Sequence, residues 1–278
     1  MLPRLWCCAV AALVLATLSP GLAPAASKKV ATKVLSDGGE VAPGADAGFS
    51  QRCPKAYPHP VGTEFNGASD HVALDEAFAF GPGHRRWDEA VRNYGDTAET
   101  FSAGPVCLRA RGRFAYPVRS GVVPAGGNAT VTITCPRSAR RALNGTLAPQ
   151  TEADVGKIVM TKSDRSGTRR WVVGVHNVGT VAQSFRAGAV CTSAKLRVIS
   201  QSTEPFSVPA GQSDGAAGKC PKRARFPVAA RLYPADPSGD GQFTLAAAAE
   251  DNPHSLSVVV TNRGQTPERV VVGEICVG

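Results

Sequence analysis

Val123-Pro124-Ala125-Gly126-Gly127-Asn128-Ala129-Thr130-Val131-Thr132-Ile133-Thr134-Cys135-Pro136 is the stretch from which the rest of the chain can be read. Ala129, Val131, Ile133 and Cys135 share one parity, and Thr130, Thr132 and Thr134 take the other. Period-two alternation among β-branched residues is the pattern of a half-buried strand. The Pro-Ala-Gly ahead of it reads as the turn that enters the strand. The same frame occurs twice more. Val41-Ala42-Pro43-Gly44 begins twelve residues before Cys53-Pro54, and Val208-Pro209-Ala210-Gly211 twelve before Cys220-Pro221.

The downstream half of the frame also recurs. Cys107, Cys191 and Cys276 each lie 14 residues after an Asn-x-Gly: Asn93-Tyr94-Gly95, Asn177-Val178-Gly179 and Asn262-Arg263-Gly264. Six residues before each Asn stands a large apolar residue, Trp87, Trp171 or Leu256, and three before each closing cysteine a glycine, Gly104, Gly188 or Gly273. Successive first cysteines are 82 and 85 residues apart. Self-similarity at a fixed period marks a repeat architecture, so the chain divides into unit 1 (27–108), unit 2 (109–192) and unit 3 (193–278). Six cysteines allow 15 pairings, and the repeat selects one bridge per unit: Cys53–Cys107, Cys135–Cys191 and Cys220–Cys276. On the loop-entropy model each bridge stabilises by about 4 kcal/mol, which matters for units this small.

Other strands follow from the same pattern. Trp171 to Val175 and Leu256 to Val260 are equivalent, and the Asn-x-Gly after them reads as a turn tolerant of positive φ. Phe185 to Cys191 is the closing strand, whose Gly188 predicts a bulge or a close backbone approach. Ala73 to Ala79 and Ala246 to Ala249 have some helical character, but the repeat sets them opposite Ile158-Val159-Met160, and strand is the reading. About seven short strands, turn signals and a strand-to-strand disulfide predict an all-β chain of three tandem Ig-like β-sandwich repeats of about 84 residues strung end to end, with the tryptophans in the cores. The frame Val-Pro-Ala-Gly, Cys-Pro, Trp-x-Val-x-Val-x-Asn-x-Gly and a closing Cys, across 27–278, resembles the tandem modules of secreted proteins of high-GC Gram-positive bacteria. Those modules often carry Gly-Gly soon after Cys-Pro, whereas here the region reads Val61-Gly62, Leu143-Asn144-Gly145 and Val228-Ala229. The resemblance concerns structural motifs and carries over no catalytic residue.

Arg4, the apolar run Cys7 to Leu18 and Ala23-Pro24-Ala25 have the form of a signal peptide over residues 1–25. The run is too short to span a membrane, and no later stretch predicts a transmembrane segment. The expected location is secreted and extracellular, an oxidising space in which disulfides persist.

The chain contains no HExxH or Walker-type run. No cofactor motif appears, and no CxxC or HxxxH spacing suggests a metal. Unit 1 carries a dense polar set: Glu64, Asp70, His71, Asp75, Glu76, His84, Asp88 and Glu89. It reads more readily as a solvated face than as an acid/base or metal site. Asp236-Pro237-Ser238-Gly239-Asp240-Gly241 lacks the ligand spacing of a calcium loop and reads as a turn. Asn128-Ala129-Thr130 and Asn144-Gly145-Thr146 are sequons.

Charge is more informative. Residues 27–278 hold 30 basic and 22 acidic residues, and the net charge by unit is −3, +10 and +1. The candidate anion-binding residues are Arg109, Arg111 and Arg113 at the junction of units 1 and 2, Arg137, Arg140 and Arg141 after Cys-Pro, and Arg169 and Arg170 before the Trp strand. Arg109, Arg111 and Arg113 share strand parity and predict one stripe, and arginine forks suit phosphate and carboxylate oxygens. The first expectation is a secreted binding or structural protein, not an enzyme, recognising an anionic extracellular or cell-envelope polymer, or a protein surface, through unit 2. Nucleic acid is not expected, since no aromatics interleave the arginines. The alternatives are a secreted inhibitor of a protease or other hydrolase, and an enzyme with its site in the unit 1 polar set. The connections Gly81 to Arg86, Ser163 to Arg170 and Glu250 to His254 are the first loops to inspect for recognition.

Overall fold

A computed structural model describes residues 30–80, 85–150, 157–236, 243–252 and 254–278. Their regular secondary structure is almost wholly strand. Unit 1 contains β1 (Ala31–Val34), β2 (Asp37–Val41), β3 (Asp46–Arg52), β4 (His59–Gly67), β5 (Val72–Phe80), β6 (Arg86–Asn93) and β7 (Glu99–Arg109). Unit 2 repeats the series as β8 (Phe114–Ala115), β9 (Val118–Val123), β10 (Asn128–Thr134), β11 (Arg141–Pro149), β12 (Ile158–Arg165), β13 (Arg170–Asn177) and β14 (Gln183–Thr192). Unit 3 contains β15 (Val198–Ser202), β16 (Phe206–Val208), β17 (Ser213–Lys219), β18 (Phe226–Pro234), β19 (Phe243–Asn252), β20 (Ser255–Asn262) and β21 (Glu268–Val277). A turn of 3-10 helix, Arg137–Ala139, follows Cys135-Pro136. Both alanine-rich segments are strands, as the repeat required.

Each unit is an Ig-like sandwich bridged by its own disulfide: Cys53–Cys107, Cys135–Cys191 and Cys220–Cys276. Trp87 and Trp171 are fully buried and Leu256 nearly so. Trp171 shares its cluster with Cys135 and Cys191. The recurrent glycine of the closing strand is a close approach, as expected: a Cβ on Gly104 would lie 1.7 Å from the Leu35 carbonyl oxygen, and one on Gly273 2.1 Å from that of Gln201.

The Asn-x-Gly works differently from the sequence reading. Positive φ belongs to the glycines of the Val-x-x-Gly turns, Gly44 (64°), Gly126 (60°) and Gly211 (70°), and not to Gly95, Gly179 or Gly264. The asparagine is the important residue. Asn93, Asn177 and Asn262 are completely buried. Each donates its amide to the carbonyl of the Val-x-x-Gly valine, Val41, Val123 or Val208, and to that of a residue four ahead. Each accepts at 2.8 Å from the amide of the glycine two ahead. One side chain thus satisfies three backbone groups where two turns meet.

The units follow one another in sequence but are not strung end to end. The fourth strand of each pairs antiparallel with the fifth strand of another: β4 with β19, β11 with β5, and β18 with β12. Three sheets of seven strands result, each combining strands 1, 2, 7 and 4 of one unit with strands 5, 6 and 3 of the next around a closed circuit. The register is the same at all three junctions. Phe65 meets Ala248, Leu147 meets Ala77 and Leu232 meets Ser163. In each trio the residues occupy one position of the repeat, so the units are related by an approximate threefold axis. Near that axis Val61, Leu143 and Val228 sit at register shifts in β4, β11 and β18 and are buried in one cluster that draws on all three units. The stretches Val61-Gly62, Leu143-Asn144-Gly145 and Val228-Ala229 are therefore where the units crowd together. A Cβ on Gly62 would lie 1.9 Å from the Val228 carbonyl oxygen.

Candidate anion-binding face

Antiparallel order places the first-cysteine turn, the β5–β6 connection and the end of β7 at one end of unit 1, and their equivalents at one end of units 2 and 3. We call this the disulfide end. The three ends lie on the same side of the molecule, because the segments that join the units meet there on the axis. Gly112, in the segment that leads into unit 2, packs so closely on the segment that leads into unit 3 that a Cβ on it would lie 2.6 Å from the Ala194 Cα. A cleft of about 570 Å³ opens at this point, lined by Val30, Ala110, Arg111, Gly112, Ser193, Lys195 and Leu196.

The predicted arginines all belong to this side, though not as expected. Residues 110–113 are not strand, and Gly112 has φ of 145°. The Arg109-x-Arg111-x-Arg113 stripe is therefore broken, because the chain must turn across the axis here. Arg109 lies over the Tyr57 ring at 5.0 Å. Arg111 and Arg113 are exposed. Arg137 and Arg140 project from the 3-10 turn, also exposed, as is Arg170 at the start of β13. Arg141 and Arg169 do structural work. Arg141 donates to the carbonyl of Leu196 in unit 3, and Arg169 donates at 2.8 Å to that of Cys135. Arg85, its counterpart in unit 1, donates to the carbonyl of Cys53.

Charge segregates by face more than by unit. Unit 1, acidic as a whole, presents Arg52, Lys55 and Arg86 exposed at its disulfide end, and unit 3 presents Lys195, Arg197, Lys219, Lys222, Arg223 and Arg225. A signal for this lies in the repeat itself: Lys55, Arg137 and Lys222 each stand two residues after the first cysteine. Among the described residues the acids placed here are few. Asp88 pairs with Arg86 at 3.1 Å, Asp164 is taken by Arg231, and the backbone sets Glu250 and Asp251 at the end of β19. The opposite end carries Asp46, Asp70, Asp96 and Glu99 of unit 1 and Asp214, Asp236 and Glu268 of unit 3, with Arg92, Lys157, Arg263 and Arg269 among them.

The polar set of unit 1 does not converge on a site. Asp70 is a junction residue: its carbonyl accepts from Arg263 at 2.7 Å, and its carboxylate accepts from Ser213. His71 is exposed beside it. Asp75 is buried, accepts from the Tyr94 hydroxyl at 3.2 Å, and has its pKa pushed up to about 7 by burial. Tyr94 in turn lies between Arg92 and Arg263, at 5.6 and 4.6 Å from its ring centre. Glu89 is buried behind Trp87, whose indole donates at 2.9 Å to Thr63 and at 3.2 Å to Glu89. Burial raises the pKa of Glu76 to about 7 and raises that of Glu64. His84 lies outside the described residues, as does most of the Asp236–Gly241 turn.

A cavity of about 60 Å³ on the axis, bordered by Thr63, Asp75, Glu76, Asn144 and Ser163 among mostly apolar groups, has room for no more than water-sized guests. Cys220, Glu274 and Cys276 lie close enough to hold a metal, but both sulfurs are used in the disulfide. Asn144, in the second sequon, is buried on the axis. Among the described residues no helix is long and apolar enough to cross a membrane, and the three disulfides fit an oxidising space. No family model matches the chain, and no curated protein matches it.

Proposed function

We propose that the protein is a secreted binding module that engages an anionic extracellular or cell-envelope polymer through its disulfide end. The observation that carries this reading is the placement of exposed cations from all three units on one side of a molecule whose opposite side is richer in carboxylates. Solubility calls for mixed signs over the whole surface, whereas charge gathered on one face gives a field that attracts polyanions. The sharing of sheets between units holds the charges in fixed positions, which lowers the ordering cost of binding. Export through the N-terminal segment would bring the protein to such polymers, and this agrees with its resemblance to modules of secreted proteins of high-GC Gram-positive bacteria.

The test is titration of polyphosphate, poly-L-glutamate and neutral dextran against the purified protein at several salt concentrations. The expected result is binding of the polyanions, none of dextran, and a linear fall of log affinity with log salt as counterions are released. Affinity that does not respond to ionic strength, or equal binding of dextran, would overturn the proposal.

A further inference from the structure

The cations of the disulfide end are not spread evenly over a plane: two of them line the cleft on the approximate threefold axis. Val30, Gly112 and Leu196, which border it, occupy one position of the repeat, and Arg111 and Lys195 occupy the next earlier one in units 2 and 3. Both cations are exposed, and the segments that carry them, 108–118 and 192–203, contain no acidic residue. The cleft floor is held firm. The Arg113 amide donates to the Ser193 hydroxyl at 2.9 Å, Arg141 donates to the Leu196 carbonyl, and the glycine at 112 lets the two segments touch. A cation pair on a rigid concave support suits one multivalent oxyanion better than a convex surface does, because little side-chain ordering is left for the ligand to impose.

We propose that this axial cleft is the anchoring subsite of the face, where Arg111 and Lys195 hold one oxyanion group of a linear polyanion while its flanking charges lie over the exposed arginines and lysines around the axis. The inference rests on the proposed function and names the place at which that polymer is held. Phosphate and carboxylate share the required chemistry, so both are offered in the test.

The experiment compares wild type, the cleft pair Arg111→Gln/Lys195→Gln and the rim pair Arg137→Gln/Arg140→Gln. All four residues are exposed, and each pair removes the same charge. Tripolyphosphate and short oligoglutamate probe the subsite, while long polyphosphate and poly-L-glutamate probe the face, and circular dichroism verifies folding. The expected result is that the cleft pair loses short-ligand affinity by about tenfold or more, the equivalent of one charge-assisted contact, and the rim pair by no more than about threefold. The better-bound oligomer identifies the oxyanion. Equal losses from both pairs would overturn the subsite and leave the face reading standing. If no polyanion binds wild type at low salt, both readings fail.

Discussion

Phe65 in β4 pairs with Ala248 in β19, joining the first unit to the third across nearly the whole sequence, in the register that Leu147 and Ala77 and Leu232 and Ser163 repeat at the other two junctions. Closure of the circuit makes the unit a poor description of the cooperative element. Every sheet is built from two units, and one buried cluster contains residues of all three. The chain is therefore expected to unfold as a whole. Scanning calorimetry should show one transition with calorimetric and van't Hoff enthalpies that agree. Three separable transitions would mean that the shared sheets contribute little.

Gly62 is the tightest point of that closure. A Cβ there would meet the Val228 carbonyl oxygen at 1.9 Å, and backbone cannot move aside as a side chain can. Gly62→Ala is expected to destabilise by about 1–3 kcal/mol, read as a midpoint shift of several degrees. Gly48→Ala supplies the contrast. Its Cβ would make ordinary contact at 3.7 Å with the Glu89 carbonyl on the exposed edge strand β3, so its midpoint should be unchanged or slightly raised.

Much of this fold was legible because the repeat carries it. The cystines, the buried tryptophans and the crowded Gly104 and Gly273 follow from positions that recur, and recurrence within one chain needs no outside comparison. Closure was not legible, because its partners lie far apart in sequence and the registers depend on small residues such as Ala77 and Ala248, which carry no distinctive pattern. The role of Asn93, Asn177 and Asn262 is not legible in the sequence, because Asn-x-Gly has the form of a turn signal, whereas satisfying three buried backbone groups is a tertiary task. The basic face was half legible. Unit 2 stands out by its net charge, but the cations of unit 1 are masked in the count by its own carboxylates, of which the fold sends Asp46, Asp70, Asp96 and Glu99 to the opposite end and buries Asp75 and Glu89.

Asp164 and Arg231 form a largely buried pair across the β12–β18 junction. The Arg231 Nε lies 3.0 Å from the Asp164 carboxylate, to which Nη2 also donates, and Nη1 donates to the Gln201 carbonyl and the Ser202 hydroxyl. Breaking such a pair from one side leaves a desolvated charge, which costs more than the pair contributes. Asp164→Leu is expected to destabilise by roughly 2–4 kcal/mol, and adding Arg231→Met should restore much of the loss. A double-mutant cycle in urea measures the coupling; simple additivity would show that solvent already compensates the guanidinium.

Glu89 stands where the other units have Val173 and Val258. It is buried, its Oε2 has no hydrogen-bond partner, and burial lifts its pKa from 4.5 to about 8. The sign of its effect on stability follows from the linkage of protonation to folding. Below pH 4.5 the carboxyl is protonated in both states and opposes folding least. Between about 4.5 and 8 the unfolded chain releases the proton while the folded one keeps it, so stability falls as pH rises, at a limit of about 1.4 kcal/mol per pH unit, and levels off above 8. Glu89→Val removes the titrating group and restores the residue type of its counterparts, while the Trp87 indole keeps its bond to Thr63. The midpoint of Glu89→Val should exceed that of wild type by a margin that grows between pH 5 and pH 8. Parallel pH dependences for the two proteins would show that Glu89 is ionised, and solvated, in the folded state.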